Sequence, residues 1–367
     1  MPAHSAPAPS FQALSPAQLQ ATAAPRTTWL WDGYLAAGNV TLLTSPWKAG
    51  KTTLTAALLA RMHAGGTLAG RAVQPGRAVV VSEESAVQWA ERCGKFGIGD
   101  HVCFLCRPFC GQPRLEDWQA LLDHLLALHR AAPLGLIAID PLAAFLPGRG
   151  ANDPAVMLAA LLPLQPLTSA GVAVLLLHHP RKQASAAGQW ARGSGALSGF
   201  ADVLLEMHYY STAEAADRRR KLFAFSRHDA TPRQLVIELD AAGTDWLSRG
   251  DVDEEAFTQS WAVLHTVLAE APDKRTRQQL LDDWPKEAAA PSPATLHRWL
   301  ERAVADGTVQ RDGTGRSHDP FRYWLKGQEE KWKAADPFWE QRQQDEEILR
   351  KLHQGDWEAP RPRRKHR

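Results

Sequence analysis

Residues 40–63 read VTLLTSPWKAGKTTLTAALLARMH, and three signals stand in order within them. Val40–Thr44 is an apolar, partly β-branched run with the length of a buried strand. Ser45–Thr53 is a turn-forming stretch that closes on Gly50-Lys51-Thr52. From Leu54 to His63 the leucines at 54, 58 and 59 keep helical spacing. Strand, loop and helix in that order form the context in which Gly-Lys-Thr is a phosphate loop rather than a chance tripeptide.

The chemistry follows from geometry. The first N–H groups of a helix lack carbonyl partners and point at an anion. Ser45, Pro46, Trp47, Lys48, Ala49, Gly50, Lys51, Thr52 and Thr53 are therefore expected to cradle the phosphates of ATP. Lys51 would reach the β- and γ-phosphates, and the Thr52 hydroxyl would ligate Mg2+. The usual loop opens on glycine; here Ser45 occupies that position, which narrows the backbone choices.

Working outward, further short apolar runs occupy Ala78–Ser82, Val102–Cys106, Leu136–Asp140, Val172–Leu177, Asp202–Met207, Lys221–Phe225 and Gln234–Glu238. They alternate with amphipathic stretches, so the fold class is α/β, a P-loop core around a mostly parallel central sheet. In such sheets ligands bind beyond the carboxyl ends of the strands, so polar residues ending a strand are site candidates. Asp140 ends one strand and is the expected holder of the Mg2+ shell, with Thr52. Glu83, just past Val79-Val80-Val81-Ser82, is the expected group to orient or deprotonate water, with Glu84 as runner-up. His178 and His179 follow a third strand. Adjacent residues on a strand face opposite ways, so one histidine alone faces the nucleotide, and His179 is the choice.

The chain has 367 residues, 44% of them hydrophobic, which is enough for a large α/β domain and a smaller module. Its 42 basic and 40 acidic residues nearly cancel, so affinity for nucleic acid must come from local patches. Four cysteines make no disulfide framework, and His101-Val102-Cys103-Phe104-Leu105-Cys106 reads as a strand whose cysteines face opposite sides, which rejects a zinc site. No apolar run of membrane length and no signal peptide is evident, so no membrane association and a reducing cytoplasm are expected.

Residues 1–26, rich in Ala, Pro, Ser and Gln, read as a flexible leader, and 27–250 as the nucleotide-binding domain. Residues 251–325 carry three helical patterns, Glu255–Glu270, Thr276–Trp284 and one opened by Ser292-Pro293, then two short strands, Thr308–Arg311 and Arg322–Leu325. That order is winged-helix-like, and Arg298, Arg302, Arg311 and Arg316, with Thr295 and His297, would contact DNA. Residues 326–367 form a charged tail with a basic end, Arg361–Arg367.

Six segments together resemble a known family: WLWDGYLAAGNVTLLTSPWKAGKTTL (29–54), VVVSEES (79–85), LIAIDPLAAF (136–145), ANDPAVMLAALLPL (151–164), VLLLHHPRK (174–182) and RGSGALSGFADVLLEM (192–207). The pattern is similar to the RepA-like AAA ATPases of the RecA superfamily, which include hexameric plasmid replication helicases. The resemblance implies a RecA-like core, Glu83 as catalytic base and the double-histidine strand as γ-phosphate sensor. It also implies a homohexameric ring with ATP between subunits and an arginine acting in trans, with Arg192 placed ahead of Arg227. It further implies that the loop carrying Lys182, Trp190 and Arg192 lines a channel for single-stranded DNA. Two other readings stay open: a RadA/RecA-like recombination or repair ATPase, and an ATP-switched winged-helix regulator.

Overall fold

The structure is a computed structural model that describes residues 13–22, 27–147, 154–179, 195–211, 217–317, 319–336 and 338–354. The chain forms two units, Met1–Val252 and Asp253–Arg367. The first is built on a nine-stranded sheet: β1 (Val40–Thr44), β2 (Ala78–Ser82), β3 (Val102–Cys106), β4 (Leu136–Asp140), β5 (Ala173–His178), β6 (Val203–Tyr209), β7 (Arg219–Ser226), β8 (Gln234–Leu239) and β9 (Trp246–Gly250). Their order across the sheet is β9-β8-β7-β6-β1-β5-β4-β2-β3. The six from β6 to β3 are parallel, and β7, β8 and β9 add antiparallel.

β1, β2 and β4 are buried along their whole length, which is why they read as unbroken apolar runs rather than alternating ones. Leu43, Val80, Ala138, Leu175 and Leu205 pack on one face with Leu54, Leu58 and Trp89, from helices α1 (Lys51–Arg61) and α2 (Ala86–Phe96). Leu42, Val79, Val81, Ile137, Ile139 and Leu176 pack on the other, against Trp118, Leu121 and Leu125 of the helix Leu115–Ala131. Burial of large side chains on both faces supplies the main stabilisation, at about 25 cal/mol per Å² of apolar surface.

Several elements differ from the sequence expectation. α1 begins at Lys51 rather than near Leu54, because its first turn is set by loop geometry and not by apolar spacing. β9 and a small four-stranded sheet (Trp29–Trp31, Leu35–Ala36, Gly66–Leu68, Arg71–Val73) were not expected. Within the leader, Pro16–Thr22 is helical where irregular chain was expected. Ser15 and Gln18 cap it reciprocally and Pro16 opens it, a strong local start signal. The rest of residues 1–26, apart from 13–15, lies outside the described residues.

The second unit has helices at Val252–Glu270, Arg277–Asp282 and Pro293–Ala305, and an antiparallel sheet in the order Arg275–Thr276, Arg322–Leu325, Val309–Asp312. Thr276 with Gln279 and Ser292 with Pro293 cap the second and third helices. Leu264, Leu268, Leu280, Leu296, Leu300 and Tyr323 form its core. Part of the expected tail belongs to this unit. Gln328 is buried and its Nε2 donates to the carbonyls of Leu268, Ala269 and Ala271 at the end of the first helix, where carbonyls run short of intrahelical donors. Trp332 Nε1 adds a bond to Ala271 O at 3.2 Å. Among the described residues no helix is long and apolar enough to cross a membrane.

Candidate nucleotide site

One cleft at the carboxyl ends of the parallel strands is lined by Trp47–Thr53, Glu83, Glu84, Arg92, Asp140 and His179. β1 delivers the loop, α1 continues from it, and β2, β4 and β5 deliver the acids and the histidine. The structure thus brings Lys51, Thr52, Glu83, Asp140 and His179 into one place from four separate stretches of the chain.

The loop turns through a left-handed Lys48 (φ 59°) and a left-handed Gly50 (φ 110°). Gly50 opens α1 without a side-chain cap, leaving the first N–H groups of the helix without a capping partner. A Cβ at Gly50 would meet Trp246 Cζ2 at 3.1 Å, so β9 forms the floor of the loop. Ser45, where glycine is usual, is not left-handed. Its hydroxyl and carbonyl instead accept from Lys51 Nζ at 3.0 and 3.2 Å.

Lys51 is buried and a third contact joins its Nζ to His179 Nδ1 at 3.0 Å. Burial lowers its pKa to about 8, against the opposing pull of Asp140. Burial and the Lys51 charge together lower that of His179, which therefore accepts from the ammonium as neutral imidazole. His179 thus meets Lys51 at the start of α1, and strand parity turns its neighbour His178 the other way.

Thr52 Oγ1 donates to Asp140 Oδ2 at 2.8 Å. Burial raises the Asp140 pKa, while the Thr52 hydrogen bond and Lys51 hold it down. A hydroxyl and a carboxylate already paired beside a phosphate loop are an oxygen donor set that fits Mg2+.

The two acids after β2 differ in their partners. Glu84 is bound by both terminal nitrogens of Arg92, whose guanidinium also sits 4.5 Å from the Trp89 ring centroid. The Glu83 carboxylate is exposed and, among the described residues, has no hydrogen-bond or ion-pair partner, while its backbone N–H is fixed to Asp140 O at 3.1 Å. Of the two, Glu83 is thus the acid whose carboxylate has no partner among the described residues.

Three contributors had no sequence signal: Arg92, Tyr209 and Arg220. Arg220 Nε donates to Ala49 O at 2.9 Å and Tyr209 Oη to Trp47 O at 3.0 Å. Arg227 follows the far end of β7, whose last residue Ser226 pairs with Val203, which pairs in turn with Thr41 near the start of β1. It therefore lies at the opposite edge of the sheet from Lys51 of the same chain. Lys182, Trp190 and Arg192 lie outside the described residues, as do Arg361–Arg367.

In the second unit, Arg298 is exposed on the helix Pro293–Ala305. Arg302 stacks over Phe257 at 4.5 Å, and Arg311 pairs with Glu301 at 2.6 Å and stacks over Phe321 at 4.4 Å. Arg316 is exposed in the turn between the two longer strands and has no ion-pair partner among the described residues.

Strand, phosphate loop, helix and facing carboxylates on a largely parallel sheet define an AAA-type P-loop NTPase domain. Residues 5–185 match the AAA domain family, a group of RecA-like P-loop ATPases. No curated protein is matched by the chain.

Proposed function

We propose that the protein is an ATP-hydrolysing, DNA-dependent motor of the RepA-like replicative helicase kind, acting as a homohexamer. The observation that carries the ATPase part is the convergence in one cleft of Lys51, the Thr52–Asp140 pair and a Glu83 carboxylate that has no partner among the described residues. The helix N-terminus and the loop N–H groups receive the phosphates, and Lys51 leaves Ser45 and His179 to meet the β- and γ-phosphates. Mg2+, held by Thr52 and Asp140, would neutralise charge on the phosphate oxygens. Glu83 orients a water and takes its proton as the water oxygen bonds to the γ-phosphorus and the bond to the β–γ bridging oxygen breaks, giving ADP and phosphate. His179, bonded to Lys51 before ATP arrives, reports the γ-phosphate to β5. A neighbouring subunit supplies an arginine, Arg192 ahead of Arg227.

The DNA part rests on the second unit. Three helices, the third capped by Ser292-Pro293, and a β-hairpin follow winged-helix order, and Arg298 and Arg316 stand exposed on the third helix and the wing turn. Arg302 and Arg311 would exchange Phe257 and Glu301 for phosphate. ATP turnover by the full chain, measured alone, with single-stranded DNA and with duplex, is expected to rise most with single strands and to lose that stimulation as salt increases. Stimulation by one particular duplex alone would move the reading to an ATP-switched regulator. Turnover indifferent to any DNA would end the motor proposal.

The depressed Lys51 pKa gives a sign for pH. Its folded value, about 8, lies below the unfolded one, so the empty site holds fewer protons than the unfolded chain between about pH 8 and pH 10. The cost of the buried charge is present below pH 8 and is relieved as pH rises through that window. ATP restores the charge, so binding takes up a proton above pH 8. Affinity for ATP is expected to be about twofold weaker at pH 8 and about tenfold weaker at pH 9 than at pH 7. Calorimetric titration at the three pH values checks this, with Lys51→Arg, charged throughout, showing no such fall.

A further inference from the structure

We propose that Tyr209 and Arg220, which face each other across β6 and β7, are positioning residues that set the phosphate loop for its ligand by holding two of its carbonyls. The inference deepens the ATPase reading and rests on it.

Tyr209 Oη donates to Trp47 O at 3.0 Å and Arg220 Nε to Ala49 O at 2.9 Å. The two side chains belong to one unit: Tyr209 pairs with Arg220 in the β6–β7 register, and the guanidinium lies 4.7 Å from the Tyr209 ring centroid. Arg220 is further locked by bonds from Nη1 to Asp217 O and Arg219 O, both at 2.7 Å.

In a trans peptide the C=O of one residue and the N–H of the next point in opposite directions. Fixing Trp47 O therefore turns the Lys48 N–H away from the β6–β7 hairpin, and fixing Ala49 O turns the Gly50 N–H the same way. The sheet order gives that direction a meaning. The hairpin lies on one side of β1, while β5, β4 and β2, which carry His179, Asp140 and Glu83, lie on the other. The two N–H groups are thus aimed into the cleft where phosphate oxygens would sit.

The backbone between the two held carbonyls gives an independent sign of the same device. Lys48 is a non-glycine residue at φ 59°, a conformation that persists when its surroundings over-determine it. It is flanked on both sides by the held groups. Successive N–H groups in such a turn form an anion-binding concavity. Without the two donors, the Lys48 segment would relax and the loop would reorganise each time it took a triphosphate.

The test compares ATP affinity, KM, kcat and thermal stability for the full chain carrying Tyr209→Phe, Arg220→Met or Arg220→Lys. Lys51→Ala controls the site, and Arg218→Gln controls the same hairpin, since Arg218 pairs with Glu238 and not with the loop. Tyr209→Phe, which keeps the ring and removes one neutral hydrogen bond, is expected to weaken ATP binding about fivefold. Arg220→Met, which removes a charged donor, is expected to weaken it about 10- to 100-fold, with Arg220→Lys falling between it and the wild type. In each case KM moves more than kcat, and the stabilisation that ATP confers shrinks while the melting temperature without ATP moves little. Arg218→Gln binds ATP as the wild type does. If Lys51→Ala loses ATP but Tyr209→Phe and Arg220→Met keep wild-type affinity, or lose only thermal stability, the positioning role is wrong and the ATPase reading survives. If Lys51→Ala binds ATP like the wild type, both fall together.

Discussion

Glu83→Gln is expected to lower kcat for ATP hydrolysis by about 10²- to 10⁴-fold while ATP still binds, the loss typical of removing a positioned general base. The expectation rests on the contrast between two adjacent acids. Glu84 is gripped by Arg92 and can take a proton only by giving up an ion pair, whereas Glu83 is exposed, unpartnered among the described residues, and fixed through its backbone N–H to Asp140. Glutamine keeps the shape and removes the basicity. Glu84→Gln should instead act mainly on stability, by freeing Arg92 from its partner. The pair of variants, measured by steady-state turnover and by binding of a fluorescent ATP analogue, decides the assignment. A large kcat loss in Glu84→Gln with near-normal Glu83→Gln would reverse it.

Lys51→Ala is expected to cut turnover by about 10²-fold or more, the scale seen when one preorganised charge-stabilising donor is removed. The reason is more specific than loss of a positive charge. Without nucleotide the ammonium is buried and held by Ser45 and His179, and burial disfavours its charged form. ATP is what makes that buried charge favourable. Truncation should therefore leave the melting temperature of the empty protein close to that of the wild type, yet abolish the rise that MgATP produces. Differential scanning fluorimetry with and without MgATP separates the two. A variant that melted far earlier and still gained stability from MgATP would show Lys51 to be structural.

The parts of this fold that were legible share one physical property. β1, β2 and β4 are parallel strands inside the sheet and are buried throughout, so their sequences are apolar runs with sharp ends. Strand parity allowed one of His178 and His179 to face the cleft without saying which, and it is His179 that meets Lys51. β9 escaped notice because Trp246-Leu247-Ser248-Arg249-Gly250 lies at the sheet edge and buries Trp246 alone. The small sheet escaped because its strands have two or three residues, too few to show any period. Asp140 and Glu83 could be picked out because each stands at or next to a strand end, and Lys51 and Thr52 because they close a recognisable loop string between a strand and a helix. Tyr209 and Arg220 could not, because what they hold is a backbone carbonyl some 160 residues away in sequence, and a carbonyl leaves no mark on the amino-acid string.

The floor and walls of the phosphate loop also bear on what the smallest working piece of this protein is. The reactive side chains in the cleft, Lys51, Thr52, Glu83, Asp140 and His179, all lie between Lys51 and His179, and a fragment ending soon after β5 would appear chemically complete. Yet the loop rests on Trp246 and is gripped from Tyr209 and Arg220. Such a fragment would keep the reactive groups and lose the mould that shapes them. The antiparallel strands β7, β8 and β9 are therefore not an ornament appended to a finished nucleotide fold: the division of labour in this chain assigns chemistry to its first half and loop geometry to residues well beyond it.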